Sequence, residues 1–320
     1  MKNVAIVAGG DSSEYEVSLK SAKGLYGFID KDRYRLFIVL MRNGKWTVET
    51  PDGSRPEIDK NDFSFQNNGQ KIKFDFAYIT IHGRPGEDGR LQGYFDMIGI
   101  PYSSCGVLTG ALTFNKYIVN QFLKTQGVRV PDSIRLQKKI LNSQLIDYLG
   151  FPVFVKPNDG GSSFGVTKVK EASQLLPAIE KAFTEGNEVI IERFVEGVEV
   201  TCGCYKTKTK QVVFPVTEVV TENDFFDYNA KYKGEALEIT PARISAELTA
   251  AIQQETLRIY DLIGAKGIIR IDYIIPFDNQ PVLLDINTTP GMTESSFIPQ
   301  QIRAAELDIK DVMTDIIENI

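Results

Sequence analysis

Between Ile269 and Asn287 the residues alternate so regularly that few local folds fit. The order is Ile-Arg-Ile-Asp-Tyr-Ile-Ile, then Pro-Phe-Asp-Asn-Gln-Pro, then Val-Leu-Leu-Asp-Ile-Asn. A period of two puts Arg270 and Asp272 on one face of a strand, with Ile269, Ile271 and Tyr273 on the other. In the second strand Leu283, Asp285 and Asn287 share a face. With Asp278-Asn279 as a two-residue turn, Asp272 stands opposite Asp285, and Arg270 opposite Asn287. Phe277 and Gln280 then exchange hydrogen bonds, so the next pair outward, Pro276 and Pro281, needs no N–H. Asp272 and Asp285 also form a non-hydrogen-bonded pair, their Cβ atoms about 4.5–5.5 Å apart.

Two carboxylates about 5 Å apart repel by roughly 3 kcal/mol at an effective dielectric of about 20. Such a pair is not kept for stability alone. A divalent cation with oxygen ligands removes the repulsion, and Asn287 offers a third oxygen. The plainer alternative is a surface hairpin whose acids face water, with Arg270 as their partner.

A chain of 320 residues exceeds one average domain, so two or three α/β units around one site are expected. The net charge of −6 and a pI of about 5.1 argue against a nucleic-acid surface or an anionic membrane as partner. Val4 to Ala8, running into Gly9-Gly10, is too short for a signal-peptide core and reads as a first strand. No apolar run is long enough to span a membrane. Cys105, Cys202 and Cys204 lack metal or redox spacing and read as packing thiols of a cytoplasmic protein.

The first hundred residues alternate strands (Val4–Ala8, Arg35–Met41, Phe76–Ile81) with a helix from Ser13 to Phe28, which predicts a mostly parallel sheet. Ser13-x-x-Glu16 has the form of a capping box, with Ser13 as N-cap and Glu14 as the first helical residue. The middle of the chain predicts a helix from about Thr113 to Lys124, strands at Val153–Lys156 and Val166–Val169, and a helix ending near Phe183. Glu188 to Tyr205 reads as a long extended passage into a last unit. That unit holds a polar loop at 223–241, a helix from about Ser245 to Ile263, the acidic hairpin and a final helix. The expected division is 1–110, 111–200 and 201–320.

Lys156-Pro157-Asn158-Asp159-Gly160-Gly161-Ser162-Ser163-Phe164-Gly165 lies between two strands. It is neither a Walker A loop nor a GxGxxG turn, both of which open a helix. It reads as a flap whose backbone N–H groups and hydroxyls can close over phosphates, or as a plain hairpin.

Taken together, the flap, the Arg-x-Asp strand, and the run Asn287-Thr288-Thr289-Pro290-Gly291-Met292-Thr293 resemble the ATP-grasp superfamily. Within it the chain resembles the D-alanine–D-alanine ligases of bacterial cell-wall synthesis. The likeness runs nearly end to end, through Ser13-Glu14-x-Glu16-Val17-Ser18, His82-Gly83-x-x-Gly86-Glu87-Asp88-Gly89 and Asp227-Tyr228-x-Ala230-Lys231-Tyr232. It implies a three-subdomain ATP-grasp fold with an N-terminal doubly wound α/β domain. It also implies an ATP- and magnesium- or manganese-dependent ligase with two metal ions, D-alanine as substrate, a homodimeric assembly and a cytoplasmic place of work.

Residue by residue, the resemblance implies that Lys116, Lys156, Ser163 and Lys231 meet phosphates, and that Glu192, Val195 and Glu199 surround adenine and ribose. Asp272, Asp285 and Asn287 match the metal ligands, although the family usually has glutamate where Asp285 stands. A water in the gap, or a closer strand, would have to make up for the missing methylene. Glu14, held with Ser162, matches the anchor of the first substrate's ammonium, and Val17, Ser18 and His82 adjoin it. Arg270 and the Gly291 N–H match the groups facing the tetrahedral oxygen. Tyr232 matches a lid residue bonded to Glu14 and Ser296, and some D-alanine–D-lactate ligases carry phenylalanine there. The competing functions are an ATP-grasp ligase with another acceptor, such as D-lactate, a nucleotide-binding regulator without catalysis, and a Rossmann oxidoreductase.

Overall fold

The structure is a computed structural model describing residues 1–137, 148–161, 164–221 and 236–320. Its N-terminal unit forms around the apolar strand β1 (Lys2–Gly9), which pairs in parallel with β2 (Tyr34–Arg42) and β6 (Phe76–Ile79). An antiparallel edge strand, β3 (Lys45–Glu49), gives the order β3-β2-β1-β6, and β4 (Phe65–Asn67) and β5 (Gln70–Ile72) form a separate two-stranded pair. Between β1 and β2 runs α1 (Tyr15–Phe28), and α2 (Arg90–Ile98) follows β6. Leu25 of α1 packs on one face of the sheet with Ile6 and Val4, and Leu91 and Phe95 of α2 on the other with Val7 and Ile79. The sheet is therefore wound on both faces, as the alternation predicted. Gly9 sits at φ +103° and so close to Met41 that a Cβ would lie 2.3 Å from its carbonyl oxygen. Only glycine fits that turn into α1.

Two predicted helix starts are corrected. Ser13 does not cap α1: its hydroxyl goes to Glu185, and Glu14 occupies the N-cap position without a side-chain capping bond. Instead Ser12 accepts from the Glu14 N–H at 3.2 Å and donates to the His82 carbonyl at 2.8 Å. The helix expected from Thr113 is two helices, α3 (Val107–Phe114) and α4 (Lys116–Thr125). Asn115 leaves the helical region between them and caps α4, accepting from the Ile118 N–H at 3.0 Å.

A second, antiparallel sheet has the order β7-β10-β8-β9 (Ser133–Leu136, Val189–Arg193, Val153–Pro157, Thr167–Val169). It packs against α5 (Leu175–Ala182) through Val155, Val169, Ile179 and Ile191. The third sheet is also antiparallel, with β14-β13-β11-β15-β16 (Ala236–Ile239, Thr217–Thr221, Val198–Lys206, Ile269–Ile275, Val282–Asn287) and β12 (Gln211–Val213) beside β11. Its core packs on α6 (Ala246–Leu262), with Ile252 and Ile259 against Cys202, Ile271 and Tyr273. The C-terminal helices α7 (Phe297–Ala304) and α8 (Ile309–Asn319) return to α1, placing Ile298, Ile302, Val312 and Ile316 beside Leu25. That return brings the ends of the first and third sheets together.

The acidic hairpin keeps its predicted facing pairs by an unforeseen route. Arg270 opposes Asn287 and Asp272 opposes Asp285, yet Tyr273 opposes Leu283 and Ile274 opposes Val282. Leu284 is therefore an extra residue, a β-bulge. Asn279 closes the turn onto Pro276 and adopts φ +56°, so the loop is one residue longer than the two-residue turn expected. Loop and bulge cancel. Their joint cost to the prediction is Leu283, which turns away from the Asp285 face and packs with Tyr273 in the core.

Candidate active site

Two cavities adjoin the third sheet. One, of about 450 Å³, lies between the second and third sheets and is walled by Lys156, Glu192, Phe194, Val195, Glu199, Asp272 and Asp285. The other, of about 620 Å³, lies between the first and third and is walled by Glu14, His82, Arg270, Asn287, Gly291 and Ser296. Lys116, Gly160, Gly161 and Asp285 line both. The cavities meet there, beneath the flap.

Lys116 is the first residue of α4, where the helix dipole opposes a positive charge. The backbone N–H groups of Lys116 and Tyr117 donate to the carbonyl and side-chain oxygens of Asn158, at 3.1 and 2.9 Å, locking the start of α4 to the end of β8. The ammonium reaches Asp285 at 2.7 and 2.9 Å. Burial, the largest single influence, works against its charge, but Asp285 together with Glu192 and Glu87 outweighs it and holds the Lys116 pKa above its ordinary value. On the facing strand, Arg270 makes a two-pronged bond to Asp272, 2.8 Å from each nitrogen, and Thr201 donates to the same carboxylate at 2.6 Å. Each acid of the facing pair thus has its own cation. That arrangement answers the repulsion inferred from the sequence, and it includes the Arg270 partnership of the plainer alternative.

Among the described residues no three His, Cys, Asp or Glu side chains gather as a metal-holding group. The donor set here is two carboxylates and one amide. All are oxygens, which suits a hard cation that also keeps phosphate or water ligands. Asn287 accepts from the Thr289 N–H at 3.0 Å, which fixes its amide on the cavity side of β16.

Lys156 pairs with Glu192 at 2.7 Å, both nearly sealed from solvent, and Asn120 also donates to Glu192. Glu192 is therefore anchored by its carboxylate. Phe194, Val195 and Glu199 follow it along the wall of the first cavity, and Lys168 lies over the Phe194 ring at 3.9 Å. Phe154 and Phe194, an aromatic pair with centroids 6.0 Å apart, were not read from the sequence.

In the second cavity Glu14 is 7% exposed, and the flap backbone lies against it: a Cβ on Gly161 would meet its Oε2 at 2.4 Å. Val17 lines the cavity one turn along α1. Ser18 does not. It is fully buried, accepting from the Gly9 N–H at 2.9 Å and donating to the Thr80 carbonyl at 2.7 Å. One position on from Val17, it faces the sheet and ties α1 to it. His82 is buried 3.4 Å from the Ser21 hydroxyl, and burial lowers its pKa.

The turn after Asn287 uses its donors selectively. Met292 N–H goes to Ser21 and Thr293 N–H to Ser296. Among the described residues the Gly291 N–H has no partner, and Gly291 lines the cavity. Arg270 lies over the ring of Phe297 at 5.3 Å. Three further acids stand in this cavity, Glu87, Glu238 and the exposed Glu294. Glu87 accepts from the Gly83 N–H at 2.6 Å; burial and the nearby Glu14 charge push its carboxyl up to about 8. Glu87 belongs to the His82–Gly89 motif, so its place was within reach of the sequence. Nothing local marks Glu238. Ser162, Ser163, Lys231 and Tyr232 lie outside the described residues.

The family description "D-ala D-ala ligase N-terminus" matches residues 3–105, and "D-ala D-ala ligase C-terminus" matches residues 122–318. A relative from Parabacteroides distasonis named D-alanine--D-alanine ligase is 68% identical over 320 residues, covering 99% of this chain and 97% of the relative. One of the same name from Bacteroides fragilis is 62% identical, covering 99% of each chain. Among solved structures, the VanG D-Ala:D-Ser ligase of Enterococcus faecalis superposes with a TM-score of 0.87 at 31% identity, over 98% of each chain. The Bacillus anthracis D-alanine--D-alanine ligase complexed with ATP gives 0.78 at 28% identity, over 99% of this chain and 96% of that one.

Proposed function

The chain belongs to the D-alanine–D-alanine ligase family, and we propose that its first cavity takes ATP, its second takes both D-alanines, and phosphoryl transfer happens where they meet. The fold is that of the ATP-grasp ligases, and the enzyme joins two D-alanines to D-alanyl-D-alanine for peptidoglycan synthesis, through an acyl phosphate. The observation that carries the site assignment is that Lys116 and Asp285 border both cavities. Transfer of a phosphoryl group between two bound molecules requires such a shared wall.

On this reading Glu14 receives the ammonium of the first D-alanine under the flap backbone at Gly161, with Ser162 holding its orientation by the family match. One oxygen of that substrate's carboxylate attacks the γ-phosphorus, and ADP leaves. Lys116 and Lys156, now held by Asp285 and Glu192, turn to the phosphates, and Ser163 and Lys231 join them by their match to the family pattern. Positioned cations and donors provide most of the catalysis in such a transfer. Arg270 and the unpartnered Gly291 N–H face the oxygen that gathers charge when the second amine attacks the acyl phosphate, with Ser296 beside them. His82 and Val17 close the first subsite. Tyr232, by its match to the family's lid residue, bonds Glu14 and Ser296 and favours a dipeptide product.

Asp272, Asp285 and Asn287 would hold magnesium or manganese, two ions in the family pattern. When bound, the metal neutralises phosphate charge. Asp285, bonded here to Lys116, would be the ligand whose reach is set by the bulge at Leu284. The division at 110 and 200 gives one unit to the first substrate and two to the nucleotide. The net charge of −6 argues against a nucleic-acid partner, and the family match supports a cytoplasmic place of work. Exposed Met97, Val107 and Leu108 offer an apolar face for a homodimer.

The test is ATP turnover with D-alanine alone and with D-serine or D-lactate added. One phosphate should appear per D-alanyl-D-alanine, with D-alanine the favoured acceptor. ATP turnover independent of D-alanine would refute the assignment.

A further inference from the structure

The second cavity holds more carboxylates than the chemistry above employs. Glu14 serves the first ammonium, Asp285 faces Lys116, and Glu87 holds the Gly83 N–H. Glu294 is exposed, and Glu238 remains. It lies on β14, on the third-sheet side of the cavity, with Arg270, Ser296 and Phe297 among the other wall residues. Gln300 of α7 donates to one of its oxygens, and the same amide also donates to the Ser295 carbonyl at 2.6 Å. The side chain is thereby fixed relative to the turn that presents Gly291 and Ser296. Among the described residues its other oxygen has no hydrogen-bond partner. Burial holds the Glu238 carboxyl above its ordinary value, and the Gln300 bond and the Arg270 charge only partly offset it. A part-buried carboxyl with one oxygen open to a substrate cavity invites a cationic partner.

We propose that Glu238 binds the ammonium of the second D-alanine and makes the site prefer an amine acceptor over a hydroxyl one. The proposal rests on the D-alanine assignment of this cavity. A free amino acid arrives as a zwitterion, and its ammonium needs an anion until a proton is lost. Glu14 is committed to the first substrate and stands at the N-cap of α1, in the N-terminal unit's wall of the cavity. Glu238 stands beside the groups assigned to the tetrahedral oxygen, where the second amine must approach. A hydroxy acid carries no charge at the corresponding atom and gains nothing from this carboxylate.

Glu238→Gln separates this role from a structural one, because glutamine still accepts from Gln300 while losing the charge. The Michaelis constant for the second D-alanine should rise at least about tenfold, the first-site constant should stay within about twofold, and the share of D-lactate product should grow. An unchanged second-site constant and product share would overturn the proposal. Should that variant not fold, Glu238→Asp keeps the charge with a shorter reach. It should then raise the second-site constant yet retain the amine preference, and loss of that preference would equally overturn it. Hydroxylamine added to the wild-type enzyme with ATP and D-alanine should trap D-alanyl hydroxamate. Its absence would strike the ligase assignment itself, independently of Glu238.

Discussion

Replacing Asp272 with asparagine should abolish turnover while leaving the protein folded. Asp272 accepts two bonds from Arg270 at 2.8 Å and one from Thr201 at 2.6 Å, and it faces Asp285 across the hairpin. Removing its charge relieves a repulsion of roughly 3 kcal/mol at about 5 Å and an effective dielectric of about 20. On the same basis it loses an attraction to Arg270 of roughly 6 kcal/mol. The asparagine oxygen keeps a neutral bond, so the net destabilisation is about 2–3 kcal/mol. Domains of this kind have about 5–15 kcal/mol in hand, so the variant remains folded at 25 °C, with a Tm lower by about 4–10 °C. Catalysis should fare worse. The loss of a metal-bearing carboxylate is expected to cost about 10³-fold or more in rate, about 4 kcal/mol of barrier. Circular dichroism melting and a phosphate-release assay read the two effects separately, and manganese titration by electron paramagnetic resonance in the presence of ADP reads the metal. Turnover within about tenfold of wild type, in a folded variant, would refute the metal assignment.

Three other outcomes are expected. Glu14→Gln should raise the Michaelis constant of the first D-alanine far more than that of the second, and an unchanged first-site constant in steady-state kinetics would count against its role. Tyr232→Phe should increase the D-lactate share in a mixed-acceptor assay; no change would contradict the lid assignment. The Glu87 carboxyl is raised from 4.5 to about 8 by burial and then by Glu14, so the folded state holds its proton more tightly than the unfolded one. Its stabilising effect is complete below about pH 4.5 and fades as pH rises towards about 8. Glu87→Gln should therefore gain Tm relative to wild type on going from pH 5 to pH 8.5, and a gap independent of pH would show that Glu87 does not titrate this way.

The face that carries Arg270, Asp272, Asp285 and Asn287 could be read from the sequence because strand alternation is local. The turn length could not, since one extra loop residue and the bulge at Leu284 cancel only in the folded hairpin. The α1 start was missed for a related reason: Ser13 has the right residue type, but tertiary packing hands its hydroxyl to Glu185 and leaves Ser12 to brace Glu14. Ser18 was placed at the substrate by its motif, whereas one step of 100° around α1 turns it into the sheet. The joining of Lys116 to Asp285 spans 169 positions, and nothing short of the fold predicts it. Glu238 sits in a short strand beside a polar loop, where no spacing distinguishes it from a surface acid. Only the return of α7 and its Gln300 marks it out.

The central claim, that the first D-alanine is activated as an acyl phosphate where the two cavities meet, has a direct isotopic test. D-alanine carrying ¹⁸O in both carboxylate oxygens is turned over with unlabelled ATP, and the released phosphate is read by ³¹P nuclear magnetic resonance. Each phosphate should carry one ¹⁸O, taken from the carboxylate that attacked it. Unlabelled phosphate alongside dipeptide formation would contradict the account.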